Sequence, residues 1–160
     1  MRRPSLALLA AFAAPLLLAA APAHGPAHGP VVLEGDVKLE TKVVENGVER
    51  TVLADPKVVV PGNRLLFSTR YRNEAATPVR NFVVTNPLPE GVALASDADA
   101  ALELSVDGGK SWGRLAALKV KAADGTMRAA QTGDVTHVRW TLPVIAPAQD
   151  GTVSFHAIVE

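Results

Sequence analysis

There is no cysteine in this 160-residue chain, and that absence narrows its chemistry more than any motif does. Disulfides, thiolate metal ligands, a cysteine nucleophile and lipidation of an N-terminal cysteine all go with it. Aromatic residues are scarce too: two Trp, one Tyr and four Phe, so each large ring is a candidate for the core. Neither sign of charge dominates, with 16 Lys and Arg against 16 Asp and Glu. A balanced chain without a basic stripe is a poor partner for nucleic acid or anionic lipid. Also missing are a Gly-rich phosphate loop and a histidine pair at metal-ligand spacing on a regular element. Beyond the N-terminus no stretch holds a helical apolar period over several turns, which argues against a helical fold.

What the chain has first is a leader. Arg2 and Arg3 make a positive start, and Leu6 to Ala21 is an uncharged run rich in Leu and Ala. Ala21-Pro22-Ala23 sets small residues where a signal peptidase reads, so residues 1–23 are expected to be a cleaved signal peptide. The run is shorter than the ~20 apolar residues of a membrane span and contains Pro15, so no membrane insertion is expected after cleavage. Export to the periplasm or the exterior follows, and loss of the two arginines leaves the remainder slightly acidic. An exported domain without disulfides must be held by its hydrophobic core alone.

Residues 24–30 read HGPAHGP, and because Pro and Gly disfavour regular structure they are expected to form a flexible or polyproline-like arm. After cleavage His24 would present its α-amine and imidazole together, with His28 nearby, a pairing suited to copper or another divalent metal. The competing reading of this arm is a plain linker. No other cofactor is expected.

From residue 31 to 160 the chain reads as strands and turns. Val37, Leu39, Thr41 and Val43 alternate with charged residues, and Asn46-Gly47 follows, the strongest short hairpin signal. Pro61-Gly62 leads into a strand with Leu65, Phe67, Thr69 and Tyr71 on one face, which ends at Asn73. A second strand with Phe82 and Val84 runs into Asn86-Pro87-Leu88-Pro89-Glu90-Gly91. There Pro87 and Pro89 remove two backbone donors and are expected to end the pairing, and Gly91 permits the turn. Asn73 and Asn86 are expected to bond backbone groups near their strand ends. Ser96 to Leu104 is either one helical turn capped by Ser96 or a loop into a strand. Ala101 to Val106 and Trp112 to Val120 are expected as strands around the turn at Asp107-Gly108-Gly109-Lys110. Val138, Trp140 and Leu142, then Val153, Phe155, Ala157 and Val159, complete the inward sets, with His137 and His156 facing outward. Phe67, Tyr71, Phe82, Trp140 and Phe155 are expected to share one core. The count is about eight or nine antiparallel strands, which points to an all-β sandwich of Greek-key type.

The run from Val60-Pro61-Gly62 through Asn73, Pro78, Phe82 to Asn86 and Leu88-Pro89-Glu90-Gly91 resembles the domain of unknown function numbered eleven, as does Trp140-Thr141-Leu142 with Ala146-Pro147 and Gly151 to Phe155. This is an Ig-like conserved-repeat module of exported bacterial and archaeal proteins. The resemblance implies an Ig-like sandwich and no catalytic residues. This chain departs from the family in having Asn86 where Asp is usual, and in carrying one copy where the module usually repeats.

Ser105 to Trp112 (SVDGGKSW) matches the Asp-box pattern, in which an Asp bonds turn amides while a Trp packs beneath. Asp107 and Trp112 are therefore read as a structural hairpin, with a carbohydrate-contacting Trp112 as the minor alternative. Catalysis finds little footing: a triad needs an oriented histidine, and Asp97 and Asp99 sit on a loop as a solvated pair rather than an acid–base pair. The expected function is a non-enzymatic structural or protein-interaction module of the cell envelope, whose partner is another exported protein. A periplasmic metal-binding protein using His24 and His28 is the alternative, and a carbohydrate-binding sandwich the second.

Overall fold

The computed structural model describes residues 29–160. The expected signal peptide and both arm histidines, His24 and His28, lie outside the described residues. Ten strands follow in order: β1 (Val31–Glu45), β2 (Val48–Ala54), β3 (Arg64–Asn73), β4 (Val79–Pro87), β5 (Val92–Leu94), β6 (Glu103–Ser105), β7 (Lys119–Lys121), β8 (Met127–Ala129), β9 (His137–Ile145) and β10 (Asp150–Val159). Every pairing is antiparallel. The count exceeds the expected eight or nine because several strands are only three residues long.

Two sheets form the sandwich, one in the order β2-β1-β3-β10-β5 and the other β4-β9-β6, with β7 and β8 as a separate pair. Trp140 on β9 meets Phe155 on β10 at 6.1 Å between centroids. Leu104 of β6 and Leu94 of β5 share the same core cluster, and Asn86 of β4 bonds Thr69 of β3. So β4, β9 and β6 lie over β3, β10 and β5 respectively. No strand of the smaller sheet lies over β1 or β2, and this asymmetry governs what the surface offers.

Inward alternation explains most of the core. Leu65, Thr69, Val84, Val138, Phe155 and Ala157 are buried while their strand neighbours are not. Phe155 is 4 % exposed and stacks on Phe67 at 5.0 Å. Two of the five expected core rings stand apart from this cluster. Tyr71 is half-buried because it lies over Gly151, its partner on β10, where a β-carbon would collide with the ring and hydroxyl. Phe82 is half-buried on the edge strand β4, next to a local break. That break is Asn81 (φ 51), which faces Pro143 between the pairs Arg80–Val144 and Phe82–Leu142. Inward facing there slips by one residue, so Val79 and Ile145 point in although Phe82 and Leu142 do too.

Three further expectations are corrected. Trp112 to Val120 is not a strand: only Gly113 bridges to Leu104, a 3-10 turn occupies Leu115–Ala117, and pairing resumes at β7 with β8. Pro87 does not end the pairing of β4, since it stands opposite His137 and the next amide, Leu88 N, donates to Thr136 O at 2.8 Å. A proline is tolerated there because β4 is an edge strand. Thr41 and Val43 are not half-buried, because β1 runs on past the sandwich. The segment after Ser96 is a loop of two turns, closed by Ala98 N to Ala95 O and Leu102 N to Asp99 O.

Candidate functional site

The turns expected from sequence set the frame. Asn46 (φ 52) and Gly47 (φ 77) make a type I′ turn that joins β1 to β2 in unbroken register from Glu45–Val48 to Leu39–Ala54. Pro61 and Gly62 (φ 87) form a turn closed by Asn63 N to Val60 O, and Gly62 N donates to Val159 O. Gly91 also has positive φ (76), just after Pro89.

The two asparagines span the sandwich rather than only their own strand ends. Asn73 is fully buried, and its Nδ2 donates to Thr77 O, Ile145 O and Ala146 O while Oδ1 accepts from Ala75 N. The Ile145 bond links β3 to β9 across the two sheets. Asn86 bonds no backbone group: its Nδ2 donates to Thr69 Oγ1 at 2.7 Å, tying β4 to β3. Both are structural pins between the sheets, Asn73 fully buried and Asn86 half-buried.

At the Asp box, Asp107 accepts from Ser105 Oγ, Lys110 N, Ser111 N and Ser111 Oγ at 2.6–3.0 Å. These donors, the Ser111 hydroxyl first, hold its carboxyl far below the usual range. Trp112 Nε1 donates to Gly109 O at 3.0 Å, and the Arg139 guanidinium sits 4.4 Å from the ring centroid. His137 meets the ring edge-on at 6.3 Å. The ring is half-buried and flanked by Arg139 and Gly109, so it forms part of the hairpin's packing.

The two described histidines are apart in role. His137 Nδ1 meets Thr136 Oγ1 at 3.1 Å, while His156 Nε2 lies 3.4 Å from Glu40 Oε2. Asp97 and Asp99 do not act as a pair: Asp97 takes Arg64 Nη2 at 2.6 Å, which holds its carboxyl low, and Asp99 caps Ala101 N. Among the described residues no cluster of three or more His, Asp or Glu could hold a metal. A depression of about 570 Å³ is floored by Leu94, Leu102 and Leu104 and rimmed by Asp99 and Arg114. Ser96 and Thr132 also line it, and Asp99 Oδ1 caps Ala101 N. Among the described residues no helix is long and apolar enough to cross a membrane.

What the surface does offer is the β1–β2 ribbon. Every residue from Thr41 to Val60 is exposed, among them Val44 at 73 % and Val48 at 58 %. Val43, Val48 and Val52 lie on the face that continues the inner side of the larger sheet; Val44 and Leu53 lie on the other. The charges of the ribbon are spent on each other, Lys42 on Glu49 at 2.6 Å and Arg50 on Glu45 at 3.5 Å. Sequence reading missed this surface, because alternating Val and charge looks the same whether or not a second sheet lies over it. No protein-family model matches the chain, and neither a curated protein nor a solved structure matches it.

Proposed function

We propose that this chain is an exported, non-enzymatic interaction module of the cell envelope, an Ig-like scaffold in single copy that binds another protein through the β1–β2 ribbon. The observation that carries the reading is the ribbon's exposed apolar surface on both faces. A two-stranded ribbon is at best marginally stable in water without something packed on it. On one face Val43, Val48 and Val52 gather on a single element, interleaved with Glu45 and Arg50, and exposed apolar side chains gathered this way favour an interaction site. Internal pairing of Lys42, Glu49, Arg50 and Glu45 leaves the valines as the groups with binding capacity to spare. The charged residues near the tip speak against insertion into lipid. Family resemblance supports the scaffold role, and the N-terminal leader supports export.

The test is photo-crosslinking in the native envelope, with a crosslinking side chain at Val44 or Val48 and, as control, at Met127 on β8. The expected result is one discrete adduct from the ribbon positions and none from the control. Equal, diffuse labelling from both places would overturn the assignment.

A further inference from the structure

We infer that the protein pairs with a second copy of itself through β2, strand to strand, about a two-fold axis at Thr51; the inference rests on the interaction-module reading and names the partner. Four strands form the outer edges of the two main sheets. β5 and β6 are only three residues long. β4 is interrupted at Asn81 opposite Pro143 and ends in Pro87. These are the devices by which sheets avoid pairing with other chains: short edges, kinks and proline. β2 has none of them. Its seven residues, VERTVLA, contain no proline, its two charges, Glu49 and Arg50, are paired with Lys42 and Glu45 of β1, and the register with β1 is unbroken.

The hairpin turn determines which backbone groups β2 leaves free. In a two-residue type I′ hairpin the closing pair, here Glu45 and Val48, exchanges both hydrogen bonds, and bonded pairs then alternate along the ladder. Val48, Arg50, Val52 and Ala54 therefore turn their amides and carbonyls to β1, while Glu49, Thr51 and Leu53 turn theirs outward. A two-fold axis through the sheet keeps its faces, so residues of like parity must meet. Centred on Arg50, the pairing opposes two arginines. Centred on Val52, it opposes Glu49 to Asp55. Centred on Thr51, it sets Glu49 against Leu53, Arg50 against Val52 and the threonines side by side. No like charges stand opposite one another, and all three outward residues find partners. The product is one continuous ten-stranded sheet. A pairing of this length falls short of the ~1,600 Å² of a standard interface, so the dimer is concentration-dependent.

Because the chain contains no cysteine, one introduced cysteine reports one contact. The experiment uses protein purified from expression of the full chain, with sedimentation equilibrium and mild oxidation as readouts. Wild type is expected to shift from monomer to dimer as concentration rises. Thr51→Cys should crosslink to a covalent dimer while Glu49→Cys does not, since its own counterpart lies far along the strand. Thr51→Lys, which sets like charges face to face, should weaken association by about tenfold. A wild type that stays monomeric throughout overturns self-pairing, as does a dimer that Thr51→Lys leaves intact and that crosslinks equally at either cysteine. A monomer that still yields a discrete hetero-adduct at Val44 or Val48 overturns self-pairing alone and leaves the interaction-module reading standing. A dimer without any hetero-adduct supports self-pairing and removes a second envelope protein as the partner.

Discussion

Asn73 and Asn86 both tie one sheet to the other, and the difference between them is one of donor and acceptor. Asn73 Nδ2 faces three carbonyl oxygens from a fully buried position. An aspartate there would bring an acceptor against acceptors, and burial would push its carboxyl pKa up. Asn73→Asp should therefore cost about 3 kcal/mol at neutral pH, and part of that loss should return on acidification as the carboxyl takes a proton. Asn86 faces a threonine hydroxyl, which can accept from an amide or donate to a carboxylate. Asn86→Asp is thus expected to change stability by less than about 1 kcal/mol. Urea denaturation of the two variants at pH 7 and pH 5 separates them; equal losses would refute the contrast. Both asparagines were visible in the sequence as strand-end residues. Their reach was not, because Ile145 lies 72 positions after Asn73 and only the tertiary fold brings it near.

At the level of elements, turns built on glycine were legible together with their positive φ, whereas the Pro-containing turn at Ala146-Pro147 gave no sign of the positive φ at Ala148. Asn46-Gly47 and Pro61-Gly62 announce positive φ by residue type, and both adopt it. The turn before β10 is closed by Gln149 N to Ala146 O, with Pro147 second and Ala148 third at φ 60. An L-residue there pays a steric penalty that glycine escapes. Ala148→Gly should raise stability by about 0.5 kcal/mol, the remaining strain relief being offset by glycine's looser unfolded state. Thermal melting checks this, and a lower midpoint would show the turn is not strained. Trp112 to Val120 was expected as the strand that returns from the Asp107 turn, but the Asp107 network and the Trp112 Nε1 bond to Gly109 fold the chain back locally before a ladder can form. The sandwich itself was legible from period-two alternation. The free ribbon was not, since nothing local to β1 records how many strands the facing sheet has.

For the molecule as a whole, one small aromatic cluster carries much of the packing, and a set of held carboxylates shapes the response to acid. Phe155 stands between Phe67 and Trp140, so Phe155→Ala should cost about 3–5 kcal/mol. Against a total of about 5–15 kcal/mol, that leaves the domain largely unfolded, and Trp140→Ala, at the half-buried rim, should cost less. Acid acts through other groups. Asp97, Glu103 and Asp134 are held low by the Arg64, Arg139 and Arg128 hydrogen bonds, and Asp107 and Asp124 by the Ser111 and Thr126 hydroxyls. A carboxyl whose folded pKa is depressed contributes fully above its unfolded value and loses that contribution as pH falls through the folded one. The unfolded values are 3.8 for Asp and 4.5 for Glu, so the melting temperature should begin to drop as pH passes below about 4.5 and keep dropping after free carboxylates have finished titrating. Asp107 has the deepest depression, hence the lowest end to this window. Asp107→Asn keeps the side chain's shape and an acceptor oxygen but removes the charge that its hydroxyl and amide donors favour. Its melting curve should lie below wild type at pH 7 and converge on it in strong acid, where the native carboxyl is protonated too. Parallel curves at all pH values would place the contribution of Asp107 in shape and not in charge.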